Sequence, residues 1–306
     1  MNKKCIVIYN PSSGRGTIKK KINYIKSRLE EKYDTVDIYE TKSQQDLIDK
    51  AADSCDIYDA IIFSGGDGAF NNIIQGVMKK EKRPPLGYIP AGTVCDLGKN
   101  LGSSKKVKKA LDVILYGEII SYDIGKVNDK YFAYTNSTGT FVSTSYMTST
   151  EKKNRFGKLA YYFGGIKEFF KPTIKTVEFY QNNRIVKIKT PLLLILNSRS
   201  IGGFPINKKG KINSGKFDIY IVKNSNNKIS GAYNVIRFML RGFIGLDLLK
   251  VAYHLRETSF DISGDDDMQW TIDGEEGPKG KIHVEYLEDQ FHIYANPKKI
   301  KNFMTR

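Results

Sequence analysis

The pattern of hydrophobic and polar positions divides the chain near residue 123. Up to that point short apolar runs alternate with helical spacings. "CIVIYN" is followed by Ile18, Ile22, Ile25 and Leu29, which fall on one helix face. "TVDIYE" leads to a helix around Leu47 and Ala51. "DAIIFS" leads to one carrying Phe70, Ile73, Ile74, Val77 and Met78, and "LGYIP" to one with Val107, Leu111, Ile114 and Leu115. Uniformly apolar strands separated by amphipathic helices predict a parallel sheet covered on both faces. Such sheets bind ligands beyond the carboxyl ends of their strands.

After Asp123 the pattern becomes strand-rich. "KTVEFYQNNRIVKIKT" predicts a hairpin turning at Asn182-Asn183. "PLLLILN", "KFDIYIV", "TSFDIS", "KIHVEYL" and "QFHIYAN" each read as a strand. Two helical segments, "KLAYYFGGIKEFF" and "GAYNVIRFMLRGFIGLDLLK", interrupt them. This half is expected to be a sandwich, and with no Pro/Ser linker the halves are expected to pack around a shared cleft.

Charge narrows the partners. Forty-nine Lys and Arg against 33 Asp and Glu give a net charge of +16, which suits nucleic acid, an anionic membrane surface or a polyphosphate substrate. A solvated lysine-rich surface would give the same figure. The lysines stand in short clusters such as Lys19-Lys20-Lys21 and Lys298-Lys299, without a homeodomain, zinc-finger or RNP-like pattern, so no nucleic acid is expected. Cys5, Cys55 and Cys95 lie far apart with no CxxC, as reduced, buried thiols of a cytoplasmic protein would. His254, His283 and His292 form no zinc-type spacing. "CIVIY" is too short for a signal-peptide core, and no apolar run approaches the roughly 20 residues of a membrane span. Any membrane contact is therefore expected from the surface.

Four loops carry candidate chemistry. "NPSSGRG", Asn10 to Gly16, follows the first strand with the small residues that let backbone N–H groups meet phosphate oxygens. It is neither a P-loop nor a dinucleotide fingerprint, whose third glycine position holds Lys19, and a simple turn explains it as well. "FSGGDGAFNNII" is the second loop. Gly65, Gly66 and Gly68 allow close backbone approach, while Asp67 needs either a bridging cation such as Mg²⁺ or a capping role. "PAGTVCDLGKN" places Thr93 and Asp96 at the end of another strand. "WTIDGEEG" sets Asp273 and Glu275 two residues apart, where a carboxylate could accept a hydroxyl proton as general base. A solvated acidic hairpin including Glu276 is the other reading, and Asp265-Asp266-Asp267 reads as a solvated turn.

In this order "NPSSG", "SGGDGAFNN", "PAGTVCDLGKN", "SYDIGKVNDKYF", "GGFP" and "TIDGE" resemble the diacylglycerol kinase catalytic-domain family, in its soluble bacterial lipid-kinase form of the multidrug-resistance-operon type. The resemblance runs from Ile6 to Ala295, and its GGDG and DGE elements are specific. It implies an NAD-kinase-like α/β nucleotide-binding domain with a parallel sheet, residues 1–124 joined by a C-terminal return of 296–306. A lipid-substrate β-sandwich over 125–295 completes the fold, with the active site in the cleft. It further implies ATP on Asn10, Pro11, Ser12, Ser13, Gly14, Thr41, Gly65, Gly66, Gly68, Ala69, Phe70, Asn71, Asn72 and Thr93. Glu275 would be the proton acceptor, with Asp273 and Asp67 in the acidic centre and Asp67, Asp96 and Asp123 near magnesium. The implied reaction is γ-phosphoryl transfer to a lipid hydroxyl, typically diacylglycerol to phosphatidate, in phospholipid biosynthesis at an anionic leaflet. Residues 156–170 would be a lipid-facing element, and a homodimer is left open.

The chain departs from the family pattern at Ala69 (for Thr), Asn72 (for Glu), Cys95 (for Asn) and Ser214 (for the Asp of a structural magnesium site). Two other readings stand beside the lipid kinase. One is an NAD kinase, which shares GGDG; the other is a nucleotide- or membrane-binding regulator without catalysis.

Overall fold

The computed structural model describes residues 2–140, 172–181, 184–224, 228–245, 250–301 and 304–305. The expected lipid-facing element at 156–170 and the expected turn at Asn182-Asn183 lie outside the described residues. The chain forms two compact units, Met1–Asp123 with Glu288–Met304, and Ile124–Leu287 with Thr305–Arg306.

The first unit is built on the parallel strands β1 (Lys4–Tyr9), β2 (Thr35–Glu40), β3 (Ala60–Gly65) and β4 (Leu86–Pro90), in the order β2-β1-β3-β4. Helix α1 (Thr17–Leu29) follows β1, α2 (Gln44–Ser54) follows β2, and α3 (Asp67–Val77) follows β3; α4 (Asp96–Asn100) and α5 (Val107–Tyr116) follow β4. Alternate strand residues face opposite helices. Cys5, Val7, Ile62 and Ile89 pack with Ile18, Ile25 and Leu29 of α1 and with Leu111 and Ile114 of α5. On the other face Phe63 meets Phe70 of α3 edge-on at 5.3 Å and stacks on Tyr88 at 5.0 Å. Such a buried aromatic contributes about 2–3 kcal/mol each through area alone, which keeps α3 seated on the sheet.

The second unit contains two antiparallel sheets. One runs β12-β11-β10-β7-β14-β15, and its strands are β7 (Thr135–Gly139), β10 (Leu192–Leu196), β11 (Phe217–Val222), β12 (Ala252–Glu257), β14 (Gln269–Ile272) and β15 (Glu275–Lys279). The other is the antiparallel part, β16-β13-β8-β9, of a ten-stranded sheet that β16 continues by pairing Ile293 with Leu86 of β4; its strands are β8 (Lys175–Gln181), β9 (Arg184–Thr190), β13 (Ser259–Gly264) and β16 (Ile282–Ala295). Leu193, Ile195, Ile219 and Trp270 of the first share one core with Phe179, Phe260, Ile262 and Val284 of the second, which makes a sandwich. Helix α6 (Lys228–Ile244) covers the outer face of the first sheet with Val235, Phe238 and Met239. β5 (Glu118–Val127) and β16 each begin in one unit and end in the other, and β5 pairs with β6 (Lys130–Phe132).

The segments "KIHVEYL" and "QFHIYAN", read from the sequence as two strands, are one continuous strand, β16. The turn-like Asp289 within it sits at φ +56°, and its N–H is held by the Asp123 carboxylate at 2.9 Å.

Candidate active site

Four chain segments leave the carboxyl ends of the parallel strands, and hydrogen bonds tie them to one another. After β1, Asn10 Oδ1 accepts from Ser12 N at 2.9 Å and from Ser12 Oγ at 2.6 Å, and Ser13 N donates to Asn10 O at 3.0 Å. This Asx-type turn folds Pro11 and Ser12 back over their own backbone. Gly14 follows at φ +61°, a conformation that glycine adopts without a Cβ clash. After β2, buried Thr41 donates to Tyr9 O through N at 2.9 Å and Oγ1 at 3.3 Å, pinning this exit to that of β1.

The second and third glycine-bearing loops are packed backbone to backbone. Gly65 O accepts from Ala91 N at 2.8 Å, Gly92 N at 3.2 Å and Tyr88 Oη at 3.1 Å. A Cβ at Gly92 would lie 2.5 Å from Gly66 Cα, so Gly92 cannot carry a side chain where the two loops meet, and one at Gly66 would crowd Gly92 Cα at 3.3 Å. Asp67 opens α3, and its Oδ1 accepts from Leu97 N at 3.3 Å, which caps the start of α4. Asp96, the first residue of α4, is buried and pairs with Lys99 Nζ at 2.8 Å. Thr93 is exposed, and its carbonyl accepts from Lys105 Nζ.

Cys95 holds φ +56° ahead of α4. Burial pushes its thiol pKa up and the Asp67 charge adds to this, so it stays protonated rather than nucleophilic. Burial likewise holds the Tyr88 phenol well above its ordinary range.

The candidate residues of this unit sort by exposure. Asn10, Pro11, Ser12, Ser13, Gly14, Gly66, Asp67, Gly68, Ala69, Asn72 and Thr93 are exposed or half-buried and can touch a ligand directly. Gly65, Thr41, Phe70, Asn71, Asp96 and Asp123 are buried. The Phe70 ring belongs to the core, 5.2 Å from Tyr88 and 6.4 Å from Phe291. Asp67 and Asp96 stand at neighbouring helix starts, whereas Asp123 lies in β5 and holds the Asp289 amide. Among the described residues no three carboxylate, thiol or imidazole groups gather to hold a metal by themselves. Of Asp67, Asp96 and Asp123, Asp67 has the partly exposed position that fits Mg²⁺ arriving with a nucleotide's phosphates, which needs only one or two carboxylates.

In the second unit the turn between β14 and β15 sets the other pair of carboxylates apart. Asp273 is buried at φ +51°, and its side chain accepts from three successive amides: Ala133 N at 2.7 Å, Tyr134 N at 3.0 Å and Thr135 N at 2.9 Å. Tyr134 Oη donates to Asp273 O at 3.0 Å. Asp273 is thus a clamp that fixes the turn, and Glu275, two residues on, opens β15 half-buried.

The model of the diacylglycerol kinase catalytic domain matches residues 4–127. The diacylglycerol kinase of Staphylococcus saprophyticus is 32% identical over 307 residues, covering 99% of this chain and 98% of its own length. The chain belongs to the diacylglycerol kinase family. The Staphylococcus carnosus diacylglycerol kinase is 30% identical with 99% and 98% coverage. The crystal structure of a diacylglycerol kinase from Bacillus anthracis shares the fold, with a TM-score of 0.80, 23% identity and coverage of 97% and 98%.

In this family member several residues that support the site carry no sequence signal of their own. Tyr88 and Gly92 read as part of a strand and a loop, and Ala133–Thr135 supply only backbone amides. Lys105 belongs to a lysine cluster that reads as solvated surface. At the position where the resemblance implies a structural magnesium, the chain carries Ser214. Ser214 Oγ donates to Lys216 O at 2.9 Å and accepts from Arg256 at 3.1 Å. Nearby Asp218 is met by Asn207 Nδ2 at 2.7 Å, His254 Nε2 at 2.8 Å and Arg256 at 3.4 Å. A neutral hydroxyl and a carboxylate already paired with the chain's own cation do not fit a magnesium site.

Proposed function

We propose that this diacylglycerol kinase family member transfers the γ-phosphoryl group of ATP to the free hydroxyl of diacylglycerol, giving phosphatidate and ADP. The hydroxyl oxygen attacks the γ-phosphorus, the bond to the β,γ-bridging oxygen breaks, and the hydroxyl proton passes to Glu275 and then to solvent. One observation carries the assignment of the base. Asp273 accepts from three buried amides and so fixes the turn, and Glu275, two residues on, opens β15 half-buried, at the position where the family resemblance puts the proton acceptor. The Asn10–Gly14 and Gly65–Asn72 loops would take the ATP phosphates on backbone N–H groups, and Asp67 would hold a Mg²⁺ that offsets the phosphate charge.

The test is a phosphorylation assay with ATP and Mg²⁺ over diacylglycerol, monoacylglycerol, a sphingoid base and NAD. Labelled phosphatidate is expected. Label on NAD with none on any lipid would instead favour the NAD-kinase reading, and no product at all the regulator.

The loop packing adds an expectation. Gly92→Ala forces a methyl group against Gly66 Cα, an overpacking of about 1–3 kcal/mol that must spread the two loops. The KM for ATP should rise at least about tenfold while the KM for lipid holds; unchanged ATP kinetics would contradict phosphate binding there.

Helix α6 supports contact with an anionic bilayer. Its outward face exposes Ile229 by 82%, Tyr233 by 58%, Leu240 by 40% and Phe243 by 60%, within about an 80° arc at 3.6 residues per turn. The helix contains no Asp or Glu, and Arg237 and Arg241 lie along it. Arg241 is turned inward over the Tyr220 and Phe238 rings, so the face would bury its apolar groups in the headgroup boundary with Arg237 as the cation beside it. Among the described residues no helix is long and apolar enough to cross a membrane. The pair Tyr233→Ser and Phe243→Ser should weaken co-sedimentation with phosphatidylglycerol vesicles at least about tenfold. If instead the pair splits a dimer seen by light scattering and vesicle binding is unchanged, the face joins two copies of the chain.

A further inference from the structure

Among the described residues, Asn136 is the side chain with both polar atoms buried and neither hydrogen-bonded. It is fully buried on β7. Its register places it directly opposite Ile195 of β10 on one side and Ile272 of β14 on the other, and Ile272 in turn faces Glu275 of β15. Directly opposed residues in antiparallel strands project from the same face. Asn136 therefore stands in one row with Ile195, Ile272 and Glu275, on the face where Ile195 and Ile272 join the apolar core. Ser137 and Thr271 share a 2.6 Å hydrogen bond on the other face, and Thr138 Oγ1 donates to Gln269 O at 2.8 Å, while the Thr135 hydroxyl, on the other face, is also buried without a partner.

A buried amide with no partner is destabilising, and an apolar side chain of similar size would be better tolerated at this position. Its retention in the row of the proposed base calls for a ligand. We propose that Asn136 is a binding subsite for the polar head of the lipid acceptor, its Nδ2–H donating to an ester carbonyl oxygen. Water carried in with the head meets Oδ1. The proposal rests on the reading of the chain as a lipid kinase with Glu275 as base. Two strand spacings separate Asn136 from Glu275, about 9–10 Å. Hydrogen bonds of about 2.9 Å at each end leave a gap of about 4 Å, which a glycerol backbone spans between its free hydroxyl and the neighbouring ester.

The test uses Asn136→Leu and Asn136→Ala in the full chain with dispersed dioctanoylglycerol as acceptor. At least one variant should melt at or above the wild-type temperature, because an orphaned amide has been removed. In that variant kcat/KM for the lipid should fall at least tenfold, with the KM for ATP unchanged. A lower melting temperature in both variants would make Asn136 a structural group with a bound water. Unchanged lipid kinetics would also overturn the subsite. Should the wild-type chain phosphorylate no lipid, the kinase reading fails on its own, and a thermal shift with dioctanoylglycerol then decides the subsite. A shift in wild type that Asn136→Leu abolishes supports it, and no shift in wild type ends it.

Discussion

Replacing Glu275 by Gln is expected to lower kcat for lipid phosphorylation by about 10²–10⁴-fold, the usual contribution of a positioned general base. Glutamine keeps the shape and the hydrogen-bonding reach of glutamate but cannot hold the hydroxyl proton. Glu275 is half-buried at the start of β15, so the change should leave folding stability within about 0.5 kcal/mol of wild type. The KM for ATP should also hold, because the loops proposed to take the phosphates belong to the other unit. Glu276 is the internal control. It is exposed and pairs with Thr271, which puts it on the opposite face from Glu275. Glu276→Gln should therefore keep the wild-type rate. Initial rates of labelled phosphatidate formation decide the matter, and a Glu275→Gln rate within threefold of wild type would remove Glu275 from the role of base.

The first unit was legible in the sequence because its signals are local. A strand buried on both faces must be apolar throughout, and a helix lying on it must repeat its apolar residues every three or four positions. Ile18, Ile25 and Leu29 are buried on α1 for that reason. The sandwich was legible in kind but less so in detail. Glu288-Asp289 reads as a turn, yet β16 runs through it, because the Asp123 carboxylate receives the Asp289 amide and Ser121 Oγ donates to the Asp289 carboxylate at 2.6 Å. Partners 166 and 168 residues away leave no trace in local composition. β12 was missed because "AYHLRE" is a polar edge strand with little apolar alternation. At the candidate site the glycines and carboxylates stood out by type, but what each does depends on contacts. Asp67 caps α4 as well as facing the loop, and Asp273 spends its charge on backbone amides. Asn136 could not be found at all, since what marks it is the absence of a partner in a packed interior.

Asp273→Ala should give the largest loss of stability among the residues of the DGE turn, and a loss of activity with it. The carboxylate accepts from Ala133 N, Tyr134 N and Thr135 N in a buried setting, and the substitution leaves three donors without an acceptor. Each buried unsatisfied group costs about 1–3 kcal/mol, so about 3 kcal/mol or more is lost from a total of typically 5–15. Alanine must also keep the positive φ of +51° that Asp tolerates better. At about 2–4 °C per kcal/mol, the melting transition should fall by at least about 6 °C. Asp273→Asn is the more telling partner experiment. Its one carbonyl oxygen can serve the Tyr134 and Thr135 amides, but its NH₂ group would point at the Ala133 N–H, donor against donor. It should therefore fall between wild type and alanine in stability. Because the clamp fixes the turn that presents Glu275, both variants should lose kcat even at temperatures where they remain folded, with the KM for ATP unchanged. Equal melting temperatures for wild type and Asp273→Ala would show that the three amides do not depend on this carboxylate. Full kcat in a destabilised variant would instead separate the clamp from the chemistry, and leave Glu275 positioned by β15 alone.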